Sequence, residues 1–381
     1  MAPWHLWMWP WLGAATGGMA PRAASPEPGA GQDGADRIPW SSPNRLMIET
    51  AQFRLRDFSP EPDKAVPEAS RPVLIVAPFT LHDAGLADLA PGHSLVEALQ
   101  AGGCTSLWLL EWKSAGPERR FETIDTQLAA LNVAVDEIGG SADIVGLCQG
   151  GWLSLLYAAR FEGKVSRLVL AGVPVDVEAA PSAITLATQT TPAFAVEQLI
   201  ESGSGLIEGE GMLRLWPDRP EWPALAQDAL QIGSRPSENR KNPALAAFLD
   251  WFGRTLDLPG AYYRETLTWL YRENRLAQGR FPALGREVGL ASVTCPLVLL
   301  AAEDDNIAPP PQVFAAAGLV GTPADAQICL RAGGNHLSLF MGKKTLAREW
   351  RRIAGWLSGA GGRPEETKTS PRKRGRVHHR R

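Results

Sequence analysis

The stretch Ala142-Asp-Ile-Val-Gly-Leu-Cys148-Gln-Gly-Gly-Trp-Leu-Ser-Leu-Leu-Tyr157 decides the fold. Its first half, Ala142–Leu147, is a short apolar run, the pattern of a strand covered on both faces. From Gly150 to Phe161 apolar residues recur at helical spacing. A tight turn must join the two, and Gly146-Leu147-Cys148-Gln149-Gly150 supplies it. Gly146 and Gly150 carry no Cβ, so strand and helix can approach while Cys148 sits on a strained turn. Gly-x-nucleophile-x-Gly between a strand and a helix forms an elbow that lifts the middle side chain above the carboxyl edge of a parallel sheet. The sulfur then stands at a helix N-terminus, where free N–H groups favour negative charge. An ordinary βα turn with an incidental cysteine is the competing reading, and residues further along the chain weigh against it.

Outward from this turn, short apolar runs alternate with helical patterns. Strands are expected at Met47–Leu55, Pro72–Ala77, Ser106–Leu110, Ala142–Leu147, Val165–Ala171, Pro296–Ala302 and Ala326–Arg331. Helices are expected at Ser94–Ala101, Ile124–Ile138, Gly150–Phe161, Pro309–Ala317 and Lys343–Leu357. Such βαβ alternation argues for an α/β class, a doubly wound and mostly parallel sheet. With the elbow, that reading becomes an α/β-hydrolase fold. Residues 178–290 break the rhythm and look mostly helical, as a cap inserted over the sheet would. The expected units are therefore 46–177, the first part of the core with the elbow; 178–290, the helical cap; and 291–358, the second part of the core. Residues 1–45 read as a Trp-rich start and a flexible linker, and 359–381 as a basic, disordered tail.

In this fold the catalytic residues follow the chain order nucleophile, acid, His. Of the six histidines, only His336 lies inside the domain and after Cys148. It stands in Gly333-Gly334-Asn335-His336, just past a strand. The acid should follow the preceding strand, where Glu303, Asp304 and Asp305 crowd one turn; Asp305 is the choice and Asp304 the next. The expected chemistry is acyl transfer. His336 takes the thiol proton, Cys148 attacks an ester or thioester carbonyl, and Asp305 orients the imidazole. Backbone N–H groups of Gln149 and of Phe79 or Thr80 would form the oxyanion hole. His82 and Trp152 are candidates for the substrate pocket, although loop packing is the simpler account of His82 and Asp83.

Composition narrows the rest. Of 381 residues, 45% are hydrophobic and 21% charged, as in a globular protein with a sizeable core. A net charge of −3 gives no reason to expect nucleic acid. Four cysteines with no CxxC spacing suit neither a disulfide framework nor a zinc site, and no metal or cofactor is expected. Cys104, Cys295 and Cys329 lie in or beside apolar runs and read as small buried hydrophobes. No apolar run reaches the 18 residues or so of a membrane span. Trp4, Trp7, Trp9 and Trp11 crowd the start without a basic n-region, a poor fit to a secretory signal; an interfacial anchor is one reading, and a segment packed on the domain or simply disordered fits at least as well. The expected location is cytoplasmic.

The chain resembles the polyhydroxyalkanoate synthase and intracellular polyhydroxyalkanoate depolymerase group, cysteine enzymes of the α/β-hydrolase superfamily. Gly146-Leu-Cys-Gln-Gly-Gly151, Glu273-Asn274-Arg275-Leu276 and Asp304-Asp305-Asn306-Ile307-Ala308-Pro309 are similar to synthase segments. The last of these supports Asp305 as the acid. Ala171-Gly-Val-Pro-Val-Asp176, Pro181-Ser-Ala-Ile184 and His336-Leu-Ser-Leu-Phe-Met-Gly-Lys-Lys344 look more like the depolymerases. Gly150 departs from the depolymerase motif, which carries proline there, and Asn306 and Pro310 depart from the synthase one. The resemblance implies (R)-3-hydroxyalkanoate esters as substrates: a polyester, or a hydroxyacyl-CoA thioester, with a granule surface as a partner and a homodimer left open. A hydrolase of the intracellular depolymerase kind is slightly favoured, because no separate synthase-type domain precedes residue 45. A synthase-like acyltransferase is the alternative, and a catalytically idle granule-associated protein the third.

Overall fold

The computed structural model describes residues 38–60, 71–213, 222–232 and 242–361. The expected Trp-rich start and most of the linker and basic tail lie outside the described residues.

Eight strands form the central sheet: β1 (Arg45–Glu49), β2 (Phe53–Asp57), β3 (Val73–Val76), β4 (Leu107–Trp112), β5 (Ala142–Leu147), β6 (Val165–Ala171), β7 (Leu297–Ala302) and β8 (Gln327–Ala332). Their order is β1-β2-β4-β3-β5-β6-β7-β8. From β4 onward neighbouring strands run parallel. Only β2 is reversed, pairing antiparallel with β1 and β4. This is the α/β-hydrolase fold. The single strand expected over Met47–Leu55 is instead a hairpin. Thr50 accepts from the amides of Gln52 and Phe53 through its hydroxyl, closing a turn that the apolar pattern does not reveal.

Strands β3, β5 and β7 are buried along their whole length. That is why they read as continuous apolar runs rather than alternating ones. On the two faces lie α1 (Leu95–Ala101), α2 (Ile124–Glu137), α3 (Gln149–Arg160) and a C-terminal helix over Arg351–Ser358. Burial of Leu128, Leu131 and Val135 on α2 and of Trp152, Leu155 and Leu156 on α3 fills one layer of the core. Capping matches the sequence: Ser94 closes α1 by accepting from the Glu97 amide at 2.9 Å. The C-terminal pattern expected as one helix from Lys343 is broken by a π-helical turn at Leu346–Trp350.

Between β6 and β7 the described chain is mostly helical: α4 (Ala183–Thr190), α5 (Ala193–Ser202), α6 (Trp222–Leu230), α7 (Pro243–Gly253) and α8 (Gly260–Glu265), the last running into a π-helical turn over Thr266–Arg272. Residues of α4, α6, α7, α8 and the π-helical turn line a cavity that Cys148, at the end of β5, also borders.

Candidate active site

The elbow takes the shape that its glycines allow. Cys148 has φ 48° and ψ −116°, a conformation that L residues adopt only when the surroundings force it. A Cβ on Gly146 would come within 2.5 Å of Gly151 Cα. One on Gly150 would overlap the carbonyl oxygens of Val76 and Ala77, so α3 could not start so close to β3. The Cys148 amide donates to Ala171 O at 2.9 Å, pinning the turn to β6. Cys148 is partly exposed, and it opens into the cavity.

Asp305 follows β7 and His336 follows β8. His336 Nδ1 and Asp305 Oδ2 are 2.7 Å apart. The other oxygen of Asp305 accepts from the amides of Ile307 at 2.8 Å and Ala308 at 2.9 Å, which fixes the carboxylate in its buried turn. Glu303 and Asp304 are exposed, so burial separates the three acids. Burial alone would lower the His336 pKa. The Asp305 carboxylate and the Cys148 sulfur, both hydrogen-bonding to the ring, instead carry it well above the ordinary imidazole value. Gly172, at φ 62°, makes room for the ring: a Cβ there would sit 3.0 Å from His336 Cε1.

The cavity holds about 300 Å³ and is lined by mostly apolar side chains, among them Leu86, Ile184, Ile207, Leu225, Leu267 and Phe340. Cys148, Gln149, Phe79, Thr80, His82 and His336 all reach its wall. Asp305 stands behind His336 and does not. His82 also packs against Trp251 and Phe252, with ring centroids 4.8 and 4.6 Å away, and its Nδ1 lies 3.1 Å from Arg254 O. Burial drives its pKa down to about 4, so at neutral pH it is an uncharged part of the wall. Asp83 faces away, bonded to Arg254 Nε at 2.8 Å. Of this loop, His82 borders the cavity while it packs against its neighbours, and Asp83 does not border it.

Trp152 is a correction: it is not on the cavity wall. It points back into the core beneath α3, fully buried, 5.8 Å from the ring of Phe281. From the fourth residue of the helix its ring packs on Phe281 rather than on the cavity. Its indole N–H donates to Gln149 Oε1, and Gln149 Nε2 donates to the Tyr271 hydroxyl at 2.7 Å. Tyr271, Tyr262 and Thr266 are cavity residues that the sequence reading did not include. Helical periodicity marks them only as an inward face. Burial holds both phenols well above the usual tyrosine range, so they remain protonated donors.

The family described as PHB de-polymerase C-terminus matches residues 225–354. A poly(3-hydroxyalkanoate) polymerase subunit from Synechocystis is 28% identical over 330 residues, covering 83% of this chain and 84% of that protein. The corresponding subunit from Allochromatium vinosum is 23% identical over 302 residues, covering 77% and 83%. Among solved structures, a monoacylglycerol lipase from Paleococcus ferrophilus aligns with 14% identity and a TM-score of 0.49, over 81% of this chain and 98% of that one. The likeness that the motifs carry to the polyhydroxyalkanoate group thus extends along most of the chain. With the strand order above, the chain is an enzyme of the α/β-hydrolase fold.

Proposed function

We propose that the chain is a cysteine acyltransferase of (R)-3-hydroxyacyl groups, taking them from a coenzyme A thioester and passing them to the hydroxyl end of a growing polyester. This reverses the slight preference for a hydrolase drawn from the sequence. The observation that carries it is the meeting of Cys148 and His336 at one largely apolar cavity, with Asp305 bonded to the far side of the ring. Such a lining accepts an alkyl chain and holds little water to compete for an acyl-enzyme. The likeness to polymerase subunits over more than three quarters of the chain supports the same choice.

In the proposed cycle His336 Nε2 takes the thiol proton as Cys148 Sγ attacks the thioester carbonyl. The C–S bond to coenzyme A breaks, and His336 returns the proton to the departing thiolate. A chain-end hydroxyl then gives its proton to His336 and attacks the acyl-enzyme, which frees Cys148. Asp305 holds the imidazole in the tautomer this needs. The amides of Gln149 and of Phe79 or Thr80 are the proposed oxyanion donors, since all three residues border the cavity beside Cys148. The catalytic roles of these residues, like the division into core, cap and tail, are part of the proposal.

The depolymerase family match over 225–354 favours a second reading, in which water resolves the acyl-enzyme. Purified protein given 3-hydroxybutyryl-CoA, or amorphous polyester, separates the two. Free CoA with growing polymer supports the transferase, whereas soluble hydroxy acid released from polyester overturns it in favour of the hydrolase. Inertness toward both substrates, with an unreactive Cys148, leaves only the idle granule-bound protein. Attachment to a polyester granule and a cytoplasmic location belong to this proposal; among the described residues no helix is long and apolar enough to cross a membrane.

A further inference from the structure

Past β3 the chain leaves the strand ladder, and the loop 77–83 takes its hydrogen bonds from elsewhere. Trp112 Nε1 donates to Ala77 O at 2.9 Å. The Tyr262 hydroxyl donates to Phe79 O at 3.2 Å. The Leu256 amide donates to Leu81 O at 2.9 Å, and Trp251 Nε1 to Asp83 O at 3.1 Å. Tyr262, Leu256 and Trp251 all belong to the helical insertion. The Phe79 ring is clamped as well, its centroid 5.6 Å from that of Trp112 and 5.2 Å from that of Tyr262.

The bond to Phe79 O also orients the amide that follows it. The Phe79 carbonyl and the Thr80 N–H share one planar peptide, and no cis peptide occurs among the described residues. In a trans unit these two groups point in opposite directions. Tyr262 therefore turns the Thr80 N–H away from itself and fixes that direction. This amide has no hydrogen-bond partner among the described residues, and Thr80 borders the cavity. The Phe79 amide has no such anchor, because nothing among the described residues bonds to the Pro78 carbonyl of its peptide. Loop and elbow are neighbours: a Cβ on Gly150 would come within 2.6 Å of Ala77 O. Tyr262 itself is close enough to Cys148 to sense its charge.

We propose that the Thr80 N–H, together with that of Gln149, holds the negative oxygen formed when Cys148 attacks an acyl carbonyl, and that Tyr262 is the positioning residue that aims it. The inference rests on the acyl-transfer reading and deepens it, choosing Thr80 over Phe79 and making the insertion part of the oxyanion hole. As the bond from Sγ to carbon forms, the carbonyl π pair moves onto oxygen, and the two N–H groups stabilise that charge. No proton passes through Tyr262. Burial pushes the phenol above the usual tyrosine range, so it stays a donor at neutral pH.

The test compares two reactions of Cys148 in the full chain. Acylation by p-nitrophenyl butyrate, read as the burst of nitrophenolate, needs an oxyanion hole; alkylation by iodoacetamide does not. Tyr262→Phe keeps the ring and removes the donor to Phe79 O. It should slow acylation by about tenfold or more, with alkylation and the half-saturating ester concentration near wild-type values. Thr80→Pro deletes the amide hydrogen and should slow acylation by about a hundredfold. Adding Tyr262→Phe to Thr80→Pro should cost little more, because nothing is left to aim. Acylation unchanged in Tyr262→Phe overturns the inference, as does full acylation in Thr80→Pro. Acylation and alkylation slowed equally in Tyr262→Phe also overturn it, since that marks a general distortion of the elbow. A parent that is alkylated but never acylated has no working oxyanion hole and overturns it too. Should Thr80→Pro fail to fold, Tyr262→Phe decides alone. The ester involves neither coenzyme A nor polymer, so failure of polymer growth and failure of this inference are told apart.

Discussion

At the scale of single residues, the site depends on charges that compensate one another out of water. His336 is buried, yet its pKa stands well above the usual imidazole range because Asp305 and Cys148 favour the protonated ring. Replacing Asp305 with Asn removes the negative partner while keeping the shape. Burial then dominates, so the His336 pKa should fall. NMR titration of the imidazole checks this, and a rise or no change would sink the ion-pair account. The sign for stability follows. A histidine whose folded-state pKa is raised contributes fully below about pH 6.5, its unfolded value, and loses that contribution as pH rises through the folded value. Alkaline pH should therefore destabilise the wild type more than Asp305→Asn, as thermal unfolding across pH would show. Cys148→Ala should cut CoA release from 3-hydroxybutyryl-CoA by about a thousandfold or more, since no other group replaces the nucleophile.

At the scale of elements, the elbow couples a strand end to a helix start with no spare volume. Gly150→Ala would drive a Cβ into the carbonyl oxygens of Val76 and Ala77, backbone atoms that cannot rotate away. Overpacking of this kind costs about 1–3 kcal/mol, and the displaced elbow should also slow Cys148 chemistry. Denaturant unfolding combined with the alkylation rate of Cys148 reads both effects; wild-type values for both would show that α3 has room to shift. This element was legible because its signal is local: an apolar run, two small residues, then a helical period. Asp305 was legible only in part. Three adjacent acids look alike in sequence, and what separates them is which carboxylate the turn buries against the Ile307 and Ala308 amides. Trp152 was misplaced because its ring packs on Phe281 and its N–H is taken by Gln149 Oε1, and spacing from Cys148 alone does not give that direction. The π turn at Thr266–Arg272 was invisible for a different reason. Its residues are good inward-facing helix residues, and only tertiary packing selects five-residue bonding over four.

At the scale of the whole molecule, the helical insertion does more than roof the cavity. Asn274 Nδ2 donates to Asp176 Oδ1 at 2.8 Å, tying the segment after the π turn to the loop after β6. The amide of Ala183, at the start of α4, donates to Asn306 O at 2.8 Å, beside the acid turn. Distribution of reactivity is also a property of the whole chain. Burial pushes the Cys104 thiol up to about 12 and the Cys295 thiol up to about 11, whereas Cys148 opens into the cavity. Iodoacetamide at neutral pH should therefore label Cys148 first, with peptide mass mapping as the readout, and early labelling of Cys104 would contradict this burial. The last link is Gln231, at the end of α6. Its Nε2 donates to Gly333 O at 2.8 Å, and its Oε1 accepts from the Lys344 amide at 2.9 Å. One insertion side chain thus spans both flanks of the His336 loop. Gln231→Ala should lower stability by about 1–2 kcal/mol, the worth of a few part-exposed hydrogen bonds. Because the loop positions the imidazole rather than binding substrate, kcat should fall several-fold while KM stays near the wild-type value. If KM rose and kcat held, Gln231 would be shaping the cavity instead, and the insertion would act on substrate binding rather than through the base.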